Sequence, residues 1–148
     1  NRTWRIITGI NAPAADAAMI AALAARSGGG RVVIEQMRED FTTLLSNCAV
    51  SVSQAGYNTT MEILDVGARA VLVPFAGGAE TEQTVRAKVL AERGLIQVVE
   101  ESVLAADVLA AAIDRAALAP SPPRGAVDLG GAQRSAALLA QWIAQRSS

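Results

Sequence analysis

The chain has 148 residues, 51% of them hydrophobic but only 3% aromatic, so a core large enough for one domain must be built from Ala, Val, Leu and Ile. Thirteen basic against fourteen acidic residues leave a net charge of −1, with no basic excess to grip a phosphate backbone, and this argues against nucleic acid as a partner. One cysteine excludes an intrachain disulfide and a thiolate metal cage, and the lack of histidine excludes a Ser-His or Cys-His hydrolase.

Taken in chain order, strand-like and helix-like periods alternate. The chain opens at Asn1, not methionine, and runs straight into a strand, "WRIIT" (Trp4–Thr8), with no signal peptide before it; it reads as a piece of a longer protein. Pro13 suits the first turn of an alanine-rich helix over Ala15–Ser27, which Gly28, Gly29 and Gly30 stop. A second strand follows at Arg31–Gln36 and a short helix at Glu39–Asn47, where Phe41, Leu44 and Leu45 share a face. Cys48 then leads as a small apolar residue into a third strand, Ala49–Ser53.

The next stretch, "SQAGYNTTMEIL" (Ser53–Leu64), turns from that strand into a helix that runs to about Val66. "ARAVLVPF" (Ala68–Phe75) is nearly continuous in apolar residues, as a buried parallel strand should be. A loop with Gly77 and Gly78, a helix over Glu82–Arg93, Gly94 and a last strand "IQVVE" complete the series, and Glu101–Leu118 reads as helix. "APSPPRG" (Ala119–Gly125) is a Pro-rich linker, and a final amphipathic helix carries Leu138, Leu139, Trp142 and Ile143. The alternation predicts an α/β fold, a Rossmann-like doubly wound parallel sheet with helices on both faces. Residues 1–118 form the expected domain, and 119–148 form a linker and a helix that packs on it or on a further domain.

In open parallel sheets ligands sit beyond the carboxyl ends of the strands. Two strand-to-helix loops on that edge are rich in polar groups. In the first, Gly56 lets backbone approach a ligand, and the N–H groups of Tyr57, Asn58 and Thr59 begin a helix that can hold an anion. Glu62 lies three residues after Thr59, where a carboxylate can accept both hydroxyls of a ribose diol. The plainer reading is an ordinary capped helix with a solvated glutamate. In the second, Glu80, Glu82, Gln83 and Arg86 cluster at a helix start, with Glu82 and Arg86 spaced i, i+4. They form either an intrahelical ion pair or a polar fringe for a sugar. No phosphate-loop motif and no Asp-x-Asp metal pair is present, so no cofactor and no metal is expected. The acidic pairs Glu39–Asp40 and Glu100–Glu101 read as solvated caps.

The segments "SQAGYNTTMEILDVGARAVLVPF" and "EQTVRAKVLAERGL" resemble the C-terminal, donor-binding domain of GT-B glycosyltransferases, over roughly Trp4 to Ile113. The resemblance is to the family 28 group, and most to a branch of predicted bacterial glycosyltransferases with a "GGYNT…E" and "EQ…RA" pattern. It implies that Gly56, Tyr57, Asn58 and Thr59 face the donor diphosphate and that Glu62 binds the ribose. It gives Gln83 to the transferred sugar, with Glu82 and Arg86 beside it, and the backbone around Met37 and Arg38 to a uracil ring. Glu82 and Arg86 stand where the peptidoglycan transferase of that group has glutamine and asparagine, which leaves the sugar open. The implied protein is an inverting, metal-independent transferase of a hexose or N-acetylhexosamine from a nucleotide sugar such as a UDP-sugar. Its acceptor site and base would lie in an N-terminal domain or a partner subunit, and any membrane contact would be made there. The implied location is cytoplasmic. A split transferase, a nucleotide-sugar epimerase or hydrolase on the same fold, and a non-catalytic sensor are the alternatives.

Overall fold

The computed structural model describes residues 3–27, 30–77, 81–128 and 130–146, which form two compact units, residues 1–41 and 42–148. Gly28, Gly29, Gly78 and Glu80, singled out above, lie outside the described residues.

The first unit holds β1 (Trp4–Ile7), α1 (Ala14–Ser27) and β2 (Val32–Glu35). The strands are parallel and pair Trp4 with Val32 through Ile7 with Glu35. Hydrogen bonds from Trp4 N–H to Arg31 O (2.8 Å) and Thr8 N–H to Glu35 O (3.0 Å) extend the ladder at both ends. The carbonyl of Pro13 accepts the first bond of α1, from Ala17 N–H at 3.1 Å, so the proline stands immediately ahead of the helix and not within its first turn. Beyond β2, Arg38 forks onto Asp40 through Nε and Nη2, both at 2.7 Å, and reaches Glu35 Oε1 through Nη1 at 2.9 Å. Arg5 Nη1 meets that same Glu35 oxygen at 2.7 Å. Asp40 is therefore not the solvated cap expected of it, because the turn brings a guanidinium two residues upstream onto its carboxylate.

The division between units falls inside α2 (Phe41–Asn47). The second unit then runs β3 (Ser51–Ser53), α3 (Tyr57–Val66), β4 (Ala70–Leu72), α4 (Glu82–Glu92), β5 (Gln97–Val98), α5 (Ala106–Leu118) and α6 (Gly131–Arg146). Its strands form a parallel sheet in the order β3-β4-β5. Among the described residues the five strands thus bond as two ladders, where the sequence suggests one sheet.

β4 is central and all three of its residues are buried, as its apolar run predicts. It is shorter at both ends than the expected Ala68–Phe75; Val73 N–H to Ser53 O, 2.8 Å, is the last bond to β3, and Pro74 has no N–H to offer toward β5. Val71, Val99, Ala112 and Ala116 make a core between sheet and α5, with Val50, Val73, Val108, Leu109 and Ile113 around it. The small alanines of α5 let the helix lie close to the strands. The helix expected over Glu101–Leu118 is interrupted. A 3-10 turn at Glu101–Val103 is followed by extended backbone at Leu104 and Ala105, and α5 starts only at Ala106.

α3 ends at Gly67, which adopts φ +67°, where a Cβ would lie 2.5 Å from the carbonyl oxygen of Pro122. Only glycine satisfies both the left-handed cap and that close approach. α6 keeps Leu138, Leu139, Trp142 and Ile143 more than half exposed. Among the described residues no helix is long and apolar enough to cross a membrane.

Candidate functional site

The β3–α3 corner starts at Ser53 and turns through Gln54, Ala55 and Gly56. The first helical hydrogen bond runs from Thr60 N–H to Gly56 O at 3.0 Å. The N–H groups of Tyr57, Asn58 and Thr59 therefore precede the ladder and have no acceptor within α3. Gly56 is the N-cap residue and no side chain caps the helix, so Asn58 and Thr59 do not serve as caps, contrary to the plainer reading of the sequence. Gly56 has ordinary angles, φ −59° and ψ 147°, and a Cβ there would meet nothing within 4 Å. The fold does not demand glycine at this point, and the space it leaves is open.

Glu62 is half-buried on the following turn and has no hydrogen bond or ion pair among the described residues, so its carboxylate is available. Thr60 is fully buried, and its Oγ1 and the Oγ of Ser53 are buried without a partner. Thr60 shares the apolar face with Ile63 and Leu64, a spacing visible in the sequence, but its unpaired hydroxyl is not.

The β4–α4 loop is held by two side chains. Phe75 N–H donates to Gln83 Oε1 at 3.2 Å, and Ala76 N–H donates to Glu101 Oε2 at 2.9 Å. Glu101 is a residue that sequence reasoning missed, and its partner Glu100 pairs with Lys88 at 3.3 Å instead of standing solvated. A Cβ on Gly77 would run into the Phe75 ring, which is exposed and would have to swing aside to admit it.

Arg86 joins the two loops. Its Nη1 donates to Ala55 O at 2.7 Å, its Nη2 pairs with Glu82, and its guanidinium lies 5.4 Å from the centroid of the Tyr57 ring. The i, i+4 ion pair with Glu82 is thus formed, and Tyr57, Glu82 and Arg86 meet directly. Gln83 serves its own loop. Met37 and Arg38 belong to the first unit, where Met37 is exposed and Arg38 is held by Glu35 and Asp40. Among the described residues no cluster of His, Cys, Asp or Glu could hold a metal ion.

Residues 21–126 match the glycosyltransferase family 28 C-terminal domain. Similar curated proteins are the UDP-N-acetylglucosamine--N-acetylmuramyl-(pentapeptide) pyrophosphoryl-undecaprenol N-acetylglucosamine transferases of Dichelobacter nodosus (strain VCS1703A), 36% identical over 84 residues, and Burkholderia mallei (strain SAVP1), 32% identical over 84 residues. These matches cover 54% and 57% of this chain and 23% of each relative, so the chain spans about a quarter of the length of the curated relatives it matches. Among solved structures it is similar to Acinetobacter baumannii MurG, with TM-score 0.58 and 19% identity over 84% of this chain and 49% of that one. It is also similar to the spinosyn forosaminyltransferase SpnP, with TM-score 0.57 and 17% identity over 82% of this chain and 37% of that one. At these identities the likeness to solved structures is one of fold, an α/β arrangement of parallel strands and helices. The family match spans well over half of the sequence, and the chain belongs to the glycosyltransferase family 28 C-terminal domain family.

Proposed function

We propose that this chain binds the donor of a glycosyltransferase, a nucleotide sugar of the UDP-sugar class, and holds its diphosphate at the amino end of α3. The observation that carries this reading is the β3–α3 corner. Three N–H groups stand ahead of the helical ladder, beside a glycine that the fold leaves free, and this is the equipment an anion needs.

Glu62, one turn on and unpaired, takes the ribose hydroxyls. Glu82 and Gln83 face the transferred sugar; Gln83 spends its oxygen on Phe75 and keeps its NH2 donors for the ligand. The contacts of the backbone around Met37 and Arg38 with a uracil ring are proposed on the family resemblance alone. Catalysis in the whole protein would follow from donor positioning and from stabilising the departing diphosphate, by an inverting route that needs no metal. The acceptor and the base belong to an N-terminal domain or a partner subunit, and a cytoplasmic setting fits a nucleotide-sugar donor.

Titrating the chain with UDP while following its amide NMR signals tests the reading. Gly56 to Glu62 should shift, and Glu62→Ala should weaken binding by about tenfold, the loss of a charge-assisted hydrogen bond. Amides of this corner that stay still at millimolar UDP contradict the diphosphate site. Unchanged affinity in Glu62→Ala removes the ribose assignment alone.

A further inference from the structure

Arg86 is not placed as a free ligand-binding arginine. Its side chain is only 14% exposed, although its ion-pair partner Glu82 is 72% exposed. One arm of its guanidinium donates to the carbonyl of Ala55, thirty-one residues away in sequence and fully buried. The other arm is turned by Glu82, and the plane lies over Tyr57, the first residue of α3.

Two of those contacts, to Ala55 and Tyr57, lie at the start of α3, where the ordinary means of fixing a helix end is missing, and the third anchors the guanidinium on α4. Gly56 offers no capping side chain, and neither Asn58 nor Thr59 caps the helix. An uncapped glycine corner samples many conformations, and three N–H groups bind an anion well only when held in one. A planar, always-charged fork can hold a carbonyl and a carboxylate at once while stacking on a ring; an ammonium cannot do all three.

We propose that Arg86 is a positioning residue for the anion site. It fastens the β3–α3 corner to α4 and so sets the N–H groups of Tyr57, Asn58 and Thr59, rather than touching the transferred sugar. The inference rests on the donor reading above for its ligand, but its structural half does not.

Arg86→Lys and Glu82→Gln, made in the whole chain, test it in two arms. Without ligand, Arg86→Lys should move the amide signals of Ala55 to Thr60 and speed hydrogen exchange at Thr60, whose N–H closes the first turn. Glu82→Gln should do the same more weakly. With ligand, Arg86→Lys should weaken UDP, which has no sugar, about as much as it weakens UDP-N-acetylglucosamine, by roughly tenfold. Corner signals at wild-type positions in the ligand-free Arg86→Lys protein overturn the proposal. UDP affinity that holds while UDP-N-acetylglucosamine affinity falls also overturns it and makes Arg86 a sugar contact. A wild-type chain that binds no UDP sinks the donor reading instead, and the ligand-free arm still decides the role of Arg86.

Discussion

Gln83 accepts the Phe75 N–H through its side-chain oxygen at 3.2 Å, so a residue assigned to the sugar by family resemblance also holds the loop that precedes its own helix. The two duties use different atoms and can be separated. Gln83→Glu keeps an acceptor for Phe75 and loses the NH2 donors, whereas Gln83→Ala loses both. The Phe75 amide signal should move in the alanine variant and stay near its place in the glutamate variant. Both variants should lose about 1 kcal/mol of the extra affinity that a UDP-sugar has over UDP. Calorimetry with both ligands measures it, and an unchanged increment in Gln83→Glu removes Gln83 from the sugar site.

Gly56→Ala separates binding from folding. The backbone there is ordinary and a Cβ would meet open space, so stability should fall by less than about 1 kcal/mol, the difference between Gly and Ala at an N-cap. The same methyl would occupy the approach to the N–H groups of Tyr57 to Thr59, and UDP binding should drop at least tenfold. Thermal melting and a UDP titration on one sample check both halves; a stable variant with wild-type affinity contradicts the site.

Gly67→Ala should behave in the opposite way. Its φ of +67° is strained for any residue with a Cβ, and that carbon would sit 2.5 Å from Pro122 O. A loss of about 2 kcal/mol is expected, read as a lower urea midpoint with an unchanged slope. A change within about 0.5 kcal/mol, the usual range for a neutral surface substitution, speaks against the close approach.

Acid should loosen the first unit through Glu35 and Asp40. The hydrogen bond from Arg5, reinforced by Arg38, holds the Glu35 carboxyl below the usual carboxylate range, and Arg38 does the same for Asp40. A carboxylate whose folded-state pKa is depressed contributes stability that is complete above its unfolded value and is lost as pH falls through the folded one. Asp40 is half exposed, which keeps its share small, so the larger part of the effect belongs to the more enclosed Glu35. Urea titrations from pH 7 to pH 3, followed at the NMR signals of Thr8 and Ile34, should show stability falling through the carboxylate range. Glu35→Gln should flatten that fall, and an equally steep fall in the variant assigns it to other groups.

The order of strands and helices was legible because β4, α3 and α5 carry their periods plainly. A run such as Ala70–Leu72 fits only a buried strand, and Ile63, Leu64 and Gly67 mark a face and its end. The β3–α3 corner was legible for the same reason, since a strand, a glycine and an apolar-periodic helix follow each other without interruption. The i, i+4 spacing of Glu82 and Arg86 announced their ion pair. What could not be read was the direction of side chains across the fold. Nothing near Arg86 in sequence points to Ala55, and nothing near Glu101 points to Ala76. The bond of Arg38 to Asp40 lies two residues apart and was still missed, because acidic pairs at helix starts are so often solvated.

The central strand β4 presents only Ala70, Val71 and Leu72, all of them shut in and apolar. Substitutions at the loops are felt by a ligand, and substitutions in β4 are felt by the fold. On the proposed donor reading, a change of sugar is therefore to be sought at positions 82 and 83, with β4 and the fastening residue Arg86 left alone, and that separation makes the α4 start the place to begin directed evolution.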